Sequence, residues 1–396
     1  MGGIESADVV VIGAGIIGAA CAEALSAAGV RVLVLDRAAP AGATTASGEG
    51  NVLLSDKQPG PELELAKASR RRWPQLLDEV RELIGPDLAE VEWDPKGGLV
   101  VATGADEMGP LAALTAAQRA AGVEVEDLDA GQAREMEPHL TDQLAAVAHY
   151  PDDAQVQPVL ATAALLAAVR ARGGEVHGGV RADGLVTGRS GEVVGVRTGS
   201  DAIPCGAVVN ACGPWAGHFS ETIGAPIDVL PRRGVVLVTA PMPPFVRRKV
   251  YAADYVDAVA SAEADLQSSA VVESTRSGTV LIGSSRQRVA FDDDLDVEVL
   301  RGLARGAIRL FPGLAAVPVM RAYGGFRPYT PDRLPVIGAD ARVPGLWHAT
   351  GHEGAGVGLA AATGLLLADL YTGREPVVDP GPFRVDRPEV ALEAGS

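Results

Sequence analysis

The sequence predicts an α/β fold in which a domain of parallel strands and packed helices is interrupted by a second domain. Three observations predict it. The chain opens on an apolar strand, a glycine turn, an alanine-rich helix and a second apolar strand. That alternation stops near residue 86 and returns at residue 156. A second glycine-rich turn and a small-residue helix follow at residues 346–370, so segments far apart in sequence must build one sheet.

The opening stretch, residues 7–37, reads ADVVVIGAGIIGAACAEALSAAGVRVLVLDR. Residues 8–12 are a short valine- and isoleucine-rich run, the pattern of a strand buried on both faces. Gly13, Gly15 and Gly18 follow in G-x-G-x-x-G spacing. Residues 16–28 have an alanine-rich helical pattern, Gly29 stops it, and residues 30–35 form a second buried strand ending at Asp36. Gly13 makes the tight turn, Gly15 lets a pyrophosphate approach the backbone, and Gly18 lets helix and strand pack closely. Ile16 and Ile17 begin the helix, whose free N–H groups and positive dipole end suit phosphates. Asp36, with Arg37 beside it, stands where a carboxylate accepts a ribose hydroxyl. The ordered set predicts a Rossmann-like dinucleotide site.

Residues 43–51 are too polar and glycine-rich for a strand. Thr44, Thr45 and Ser47, with Gly50 and Asn51 after them, offer hydroxyls and backbone N–H groups to phosphate oxygens or a polar ring edge. Residues 62–83 are amphipathic and helical, and Pro74 should kink or divide that helix. Residues 91–103 look like a hairpin around 96–98, and 106–121 like a helix ended by Gly122. The opening rhythm resumes with a helix at 156–171, a strand at 175–180 ending on Val180, and a hairpin at 185–198. A buried strand at 207–211 then runs through Ala211 into Gly213, Pro214 and Trp215, where a third parallel strand brings backbone beside the cofactor. Further strands at 235–243, 270–273 and 279–283 precede a helix at 297–311. The stretch after Pro376, rich in Pro, Asp and Glu, is expected to be poorly ordered.

The glycine-rich turn near the end carries Gly351, His352, Glu353, Gly354, Ala355 and Gly356. A helix starting there would set N–H groups and dipole against the negative charge a reduced flavin ring carries. Two cradles far apart on one chain favour FAD over a nicotinamide dinucleotide.

With 396 residues and 47% apolar content the chain can bury a core for roughly two domains. Its net charge of −17 argues against nucleic acid and anionic membrane surfaces as partners. Cys21, Cys205 and Cys212 show no metal-type spacing, so no metal site is expected and buried thiols are. The N-terminal apolar run is the first strand rather than a signal segment, and no uninterrupted apolar segment reaches membrane-span length. The expectation is a cytoplasmic protein.

GAGIIG with its terminal acid, TTASGEGN, NACGPWA, GGFRPYTPDRLPVIG and TGHEGAGVGLA together resemble the D-amino-acid oxidase/glycine oxidase superfamily of FAD-dependent oxidoreductases. RRGVVLVTAP and GHEGAGVGLA look most like the group of opine oxidase, hydroxyproline and proline dehydrogenase β subunits and the hydrogen cyanide synthase flavoprotein. The resemblance implies a discontinuous FAD domain (residues 1–85, 150–218 and 322–376), a mostly antiparallel substrate domain (86–149 and 219–321) and a tail (377–396). It implies oxidation of a small amine or amino acid to the imine by hydride transfer to flavin N5, the imine then hydrolysing. Electrons would pass to O2 or to a protein acceptor, so an α subunit or a second copy of the chain is an expected partner. The alternatives are a catalytic β subunit of a heteromeric amino-acid or opine dehydrogenase and, from a different class, a flavin-binding redox or scaffold protein without turnover. The family's carboxylate-binding arginine falls on Arg327; the residue-level alternative is an arginine paired with Asp332 or Asp340. His352 and Glu353 lie where the turn passes the flavin, and Tyr251 and Tyr255 in a region that supplies a tyrosine or lid in some relatives. No cysteine lies beyond Cys212, so the covalent flavin link of sarcosine oxidase-like relatives is not expected and the FAD should be non-covalent. Glu49 departs from the small or basic residues of many relatives and leaves the substrate's charge open.

Overall fold

A computed structural model describes residues 6–254 and 266–393. The strand Ala7–Ile12 lies at the centre of the first sheet, between Val32–Asp36 and Asp201–Asn210, all three parallel. Its side chains are buried on both faces, with Val9, Val10 and Val11 fully enclosed, which is what a parallel strand covered on both sides requires. Glu175–Gly178 extends the sheet beyond Val32–Asp36, and Leu346–Thr350 extends it beyond Asp201–Asn210. Val336–Ala339 pairs antiparallel at the outer edge. The expected hairpin is present as Gly184–Thr187 and Val193–Thr198, which continues antiparallel onto Asp201–Asn210.

The helix Ile16–Ala27 crosses one face and packs on the helix Gly356–Thr372. A Cβ on Gly364 would lie 2.4 Å from the Ala20 carbonyl oxygen, so this glycine sets how closely the two helices approach. The segment Glu353–Thr372 is long and apolar enough to span a membrane by length and composition, against the sequence expectation that none is. In the fold its small and apolar side chains are mostly enclosed, against the first helix and the helix Pro61–Ile84. That last helix runs unbroken through Pro74 rather than dividing there. The one hydrogen bond lost to proline is outweighed by burial of Leu63, Leu65, Trp73, Leu76, Leu77 and Val80, at about 1.5–3 kcal/mol each for the large side chains.

The second sheet has eight strands, in the order Val319–Tyr329, Leu230–Thr239, Val280–Gln287, Leu266–Ser274, Lys249–Ala252, Gly98–Ala102, Ala146–Tyr150, Glu126–Leu128. Neighbours are antiparallel except Lys249–Ala252 beside Gly98–Ala102. The helix Val297–Leu310 covers it through Val299, Leu303, Ala307 and Leu310. The hairpin expected at 91–103 does not form. Pro95 has no N–H to give and Gly97 holds a φ of +76°, so residues 91–97 make only an isolated bridge from Asp94 to Gln155. Gly98–Ala102 pairs instead with strands distant in sequence.

The boundary expected at residue 322 falls inside the strand Val319–Tyr329, which pairs with Leu230–Thr239 along its length. Arg327 therefore belongs to the second sheet. The tail expected to be poorly ordered is anchored: Phe383, Val385 and Val390 are buried, and Arg387 Nε donates to Asp332 Oδ2 at 2.7 Å. Three apolar anchors and an ion pair override its polar composition.

Candidate active site

The carboxyl ends of the first sheet's central strands and one face of the second sheet enclose a cavity of about 580 Å³. In open parallel sheets this is where ligands bind. Gly13, Gly15, Ile16 and Ile17 form its wall at the first helix. Gly13 has a φ of +108°, and a Cβ there would sit 2.2 Å from the Ala211 carbonyl oxygen. Gly18 does not reach the cavity; its Cβ position lies 1.9 Å from the Gly13 carbonyl oxygen, so it holds helix to turn as expected. No side chain caps this helix at Gly15, but Thr45 Oγ1 accepts the Ile16 N–H at 3.0 Å. That hydroxyl fixes the loop 44–47 against the helix end.

Thr44 Oγ1 donates to the Phe326 carbonyl at 2.6 Å and Ser47 Oγ to the Gly324 carbonyl at 3.1 Å, tying the same loop to the second sheet. Gly50 and Asn51 continue the wall. Asp36 accepts the Ala14 and Ala38 N–H groups, each at 2.8 Å, which orients its carboxylate at the cavity edge. The Arg37 guanidinium lies 4.1 Å above the Trp215 ring, and Trp215 stacks on Phe291 with centroids 5.3 Å apart. Ala211, Cys212, Gly213 and Pro214 complete this end. Burial pushes the Cys212 thiol up to about 12, so it stays protonated and is a poor nucleophile toward a flavin.

At the other end Gly354, Gly356 and Val357 bring the start of the helix Gly356–Thr372 to the cavity, again with no side-chain cap. Two helix starts on one cavity, with hydroxyls and a carboxylate between them, fit a dinucleotide that carries phosphates at one end and an electron-rich ring at the other.

Arg327 projects into the cavity from the second sheet. Its Nη1 donates to the Ser285 carbonyl at 2.7 Å and its Nη2 to Ser284 Oγ at 3.2 Å. The register sets Arg232 directly opposite Arg327, a like-charge pair that by itself destabilises a sheet. Glu353 offsets it. Its Oε1 lies 3.4 Å from Arg286 and 3.7 Å from Arg232. Burial pushes the Glu353 carboxyl up, but Arg286, Arg327 and Arg232 outweigh that and bring it down to about 2. Arg327 pairs with neither aspartate weighed from the sequence: Asp332 holds Arg387, and Asp340 holds Arg342 and His348.

His352 lines the cavity, is buried, and shares a 2.9 Å hydrogen bond through Nε2 with Thr363 Oγ1. Burial lowers its pKa from 6.5 to about 3, so the ring is neutral at pH 7. An expected acid lability follows. Between pH 6.5 and 3 the unfolded histidine binds a proton that the folded one does not, so stability is full above 6.5 and falls with pH across that window. Glu353 adds the same sign lower down, from its ordinary 4.5 to about 2. Glu62, Glu137 and Asp153, which burial raises to about 7, 7 and 6, act with the opposite sign over the same range, so the His352 contribution is read as a difference: the urea midpoint of His352→Gln minus that of the unaltered protein should rise as pH falls from 6.5 to 4.

Several expected residues lie off the cavity. Tyr251 is fully buried in the strand Lys249–Ala252 and does not line it; strand alternation turns the ring into the hydrophobic core. Tyr255 lies outside the described residues. Gly351 does not line the cavity; it takes a φ of +79° in the turn, packed on Thr330. Ala355 packs with the core instead. Val180 gives its N–H to the Asp36 carbonyl at 2.8 Å, leaving the adjacent Arg181, Ala182 and Asp183 on the wall. Sequence reasoning missed Arg286, Ser284, Gly234 and Gly325, all on the cavity. The alternation of RRG at 232–234 and SSR at 284–286 carried a signal, but only the strand register says which residues face inward.

The family model for FAD dependent oxidoreductases matches residues 8–370. A glycine oxidase of Geobacillus kaustophilus (strain HTA426) is 29% identical over 384 residues, covering 96% of this chain and 97% of that protein. The hydrogen cyanide synthase subunit HcnC of Pseudomonas aeruginosa is 30% identical, covering 98% of each chain. The crystal structure of glycine oxidase from Geobacillus kaustophilus superposes with a TM-score of 0.86 at 27% identity, over 97% of this chain and 99% of that one. The fold, the two helix ends on one cavity and these likenesses agree, and the chain belongs to the FAD-dependent oxidoreductase family typified by glycine oxidase, as an FAD-dependent amino-acid oxidoreductase.

Proposed function

We propose that the protein oxidises a small amine or amino acid whose carboxylate is held by Arg327. The observation that carries this reading is the guanidinium on the wall of the cavity that the two helix ends share. Its donors to Ser284 and Ser285 leave the rest of the fork for a ligand and fix its plane. A guanidinium keeps its charge in an enclosed site and binds a carboxylate through parallel bonds.

In this reading Gly13, Gly15 to Ile17, Asp36, Thr45 and Gly213 hold the adenine-nucleotide part of FAD. Ser47, Gly50, Asn51, His352, Glu353, Gly354 and Gly356 flank its ring. FAD, when bound, supplies the two-electron oxidant that takes the amine to the imine. Arg327 orients the substrate so that the α-hydrogen points one way, which supplies rate through positioning. Glu353 keeps the arginine cluster assembled. His352, neutral and bonded to Thr363, shapes the wall and carries no charge to the reacting amine. No side-chain base stands out beside Arg327 among the described residues, so the amine reacts in its neutral form and activity should rise with pH toward the amine's own pKa.

The subunit status of HcnC in its name supports a second arrangement, in which electrons leave for a partner polypeptide. Anaerobic titration of the FAD-loaded protein with glycine, sarcosine, proline, D-amino acids and opines should bleach the flavin with at least one amino carboxylate. A flavin that none of them reduces defeats the proposal. Slow reoxidation by O2 after bleaching would select the partner-dependent form.

A further inference from the structure

Glu49 lines the same cavity as Arg327 and is not used in the reading above. Its Oε1 is buried and has no hydrogen-bond partner, while Oε2 accepts only a 3.3 Å bond from Asn51 Nδ2. The nearby Lys249 ammonium is turned elsewhere, to Asn51 Oδ1 and, at 3.4 Å, to Glu273. No lysine or arginine forms an ion pair with Glu49 among the described residues. A half-buried carboxylate with an open acceptor in an enclosed site is costly unless a cation or donor reaches it.

Its position is built into the second sheet. A Cβ on Gly283 would lie 2.3 Å from Glu49 Oε1, so the carboxylate reaches over backbone that only glycine leaves clear. The next two residues, Ser284 and Ser285, are the ones that hold Arg327. An anion and a cation thus both meet residues 283–285, Glu49 over Gly283 and Arg327 on Ser284 and Ser285. Glu49 and Gly48 also line a second cavity of about 500 Å³, so the carboxylate stands on the partition between the two.

We propose, on top of the function above, that Glu49 is a specificity-determining residue for amino carboxylates that carry a second, cationic nitrogen away from the one oxidised. The carboxylate of such a substrate lies on Arg327 and its guanidino or ammonium group on Glu49. The reacting amine is not the partner. A carboxylate beside it would stabilise its protonated form and withhold the lone pair the oxidation needs.

The test is binding to the FAD-loaded protein, read from perturbation of the flavin spectrum, with 4-guanidinobutanoate and its neutral isostere 4-ureidobutanoate. Neither needs to be oxidised, so the result stands apart from whether any amine bleaches the flavin. The guanidino compound should bind at least tenfold more tightly than the ureido compound, and Glu49→Gln should bring the two within about twofold. Glu49→Asp, which keeps the charge, should keep part of the preference. Equal binding of the two compounds by the unaltered protein overturns the inference, even if the variants fail to load FAD. So does a preference that survives in Glu49→Gln.

Discussion

Arg327→Ala should raise KM for carboxylate substrates by on the order of a hundred- to several-thousandfold while FAD stays bound. Removing one partner of an enclosed charge pair costs about 3–5 kcal/mol, and each 1.4 kcal/mol is about tenfold. The fold should survive, because Glu353 keeps Arg286 at 3.4 Å and Arg232 at 3.7 Å. Relief of the Arg232–Arg327 opposition across the strands further limits the damage. Arg327→Lys should recover only part of the loss, since an ammonium keeps the charge and gives up the two-pronged geometry. Steady-state kinetics on amino carboxylates, beside amines without a carboxylate, separate this from a general defect. An unchanged KM for the amino carboxylates removes Arg327 from the substrate.

Gly13→Ala should abolish FAD loading. The added carbon would fall 2.2 Å from the Ala211 carbonyl oxygen at a φ of +108°, and its three nearest atoms are backbone of Ala211 and Cys212, just past the strand Asp201–Asn210. The turn must open, and the pyrophosphate wall opens with it. More than about 4 kcal/mol of destabilisation is the scale for such a backbone collision. Gly29→Ala is the control: its φ is +86° but nothing lies within 4 Å, so it introduces only backbone strain, at a cost of about 1–2 kcal/mol. Flavin absorbance after FAD addition, together with the melting temperature of both variants, distinguishes collision from strain. A Gly13→Ala protein that holds FAD as the unaltered one does would show that the turn does not build the cofactor site.

The nucleotide half of this protein was legible because its rules are local. A glycine at a positive φ, a helix that starts directly after it and an acid at the end of the next strand follow from neighbours in the chain. Gly13, Gly15, Asp36, Thr45 and Gly213 all line the cavity. The hairpin at 91–103 was misread for the opposite reason. Gly98–Ala102 is a strand, but its partners lie about 50 and 150 residues away, and no local pattern announces them. Tyr251 misses the cavity because both faces of its strand are covered, Tyr251 packing into one core and Val250 and Ala252 into another, and alternation alone does not say what covers a face.

The sequence by itself determined the family, the cofactor and the residue types at both helix ends, because phosphate and flavin binding rest on backbone N–H groups that glycine spacing exposes. Only the tertiary structure decided which charges meet. The register of Val319–Tyr329 on Leu230–Thr239 opposes Arg327 to Arg232, the final turn swings Glu353 between arginines of separate strands, and Gly283 clears the space that Glu49 enters. Electrostatic partners act through space at a few ångströms, and strands that pair across about a hundred residues of sequence are what set those distances.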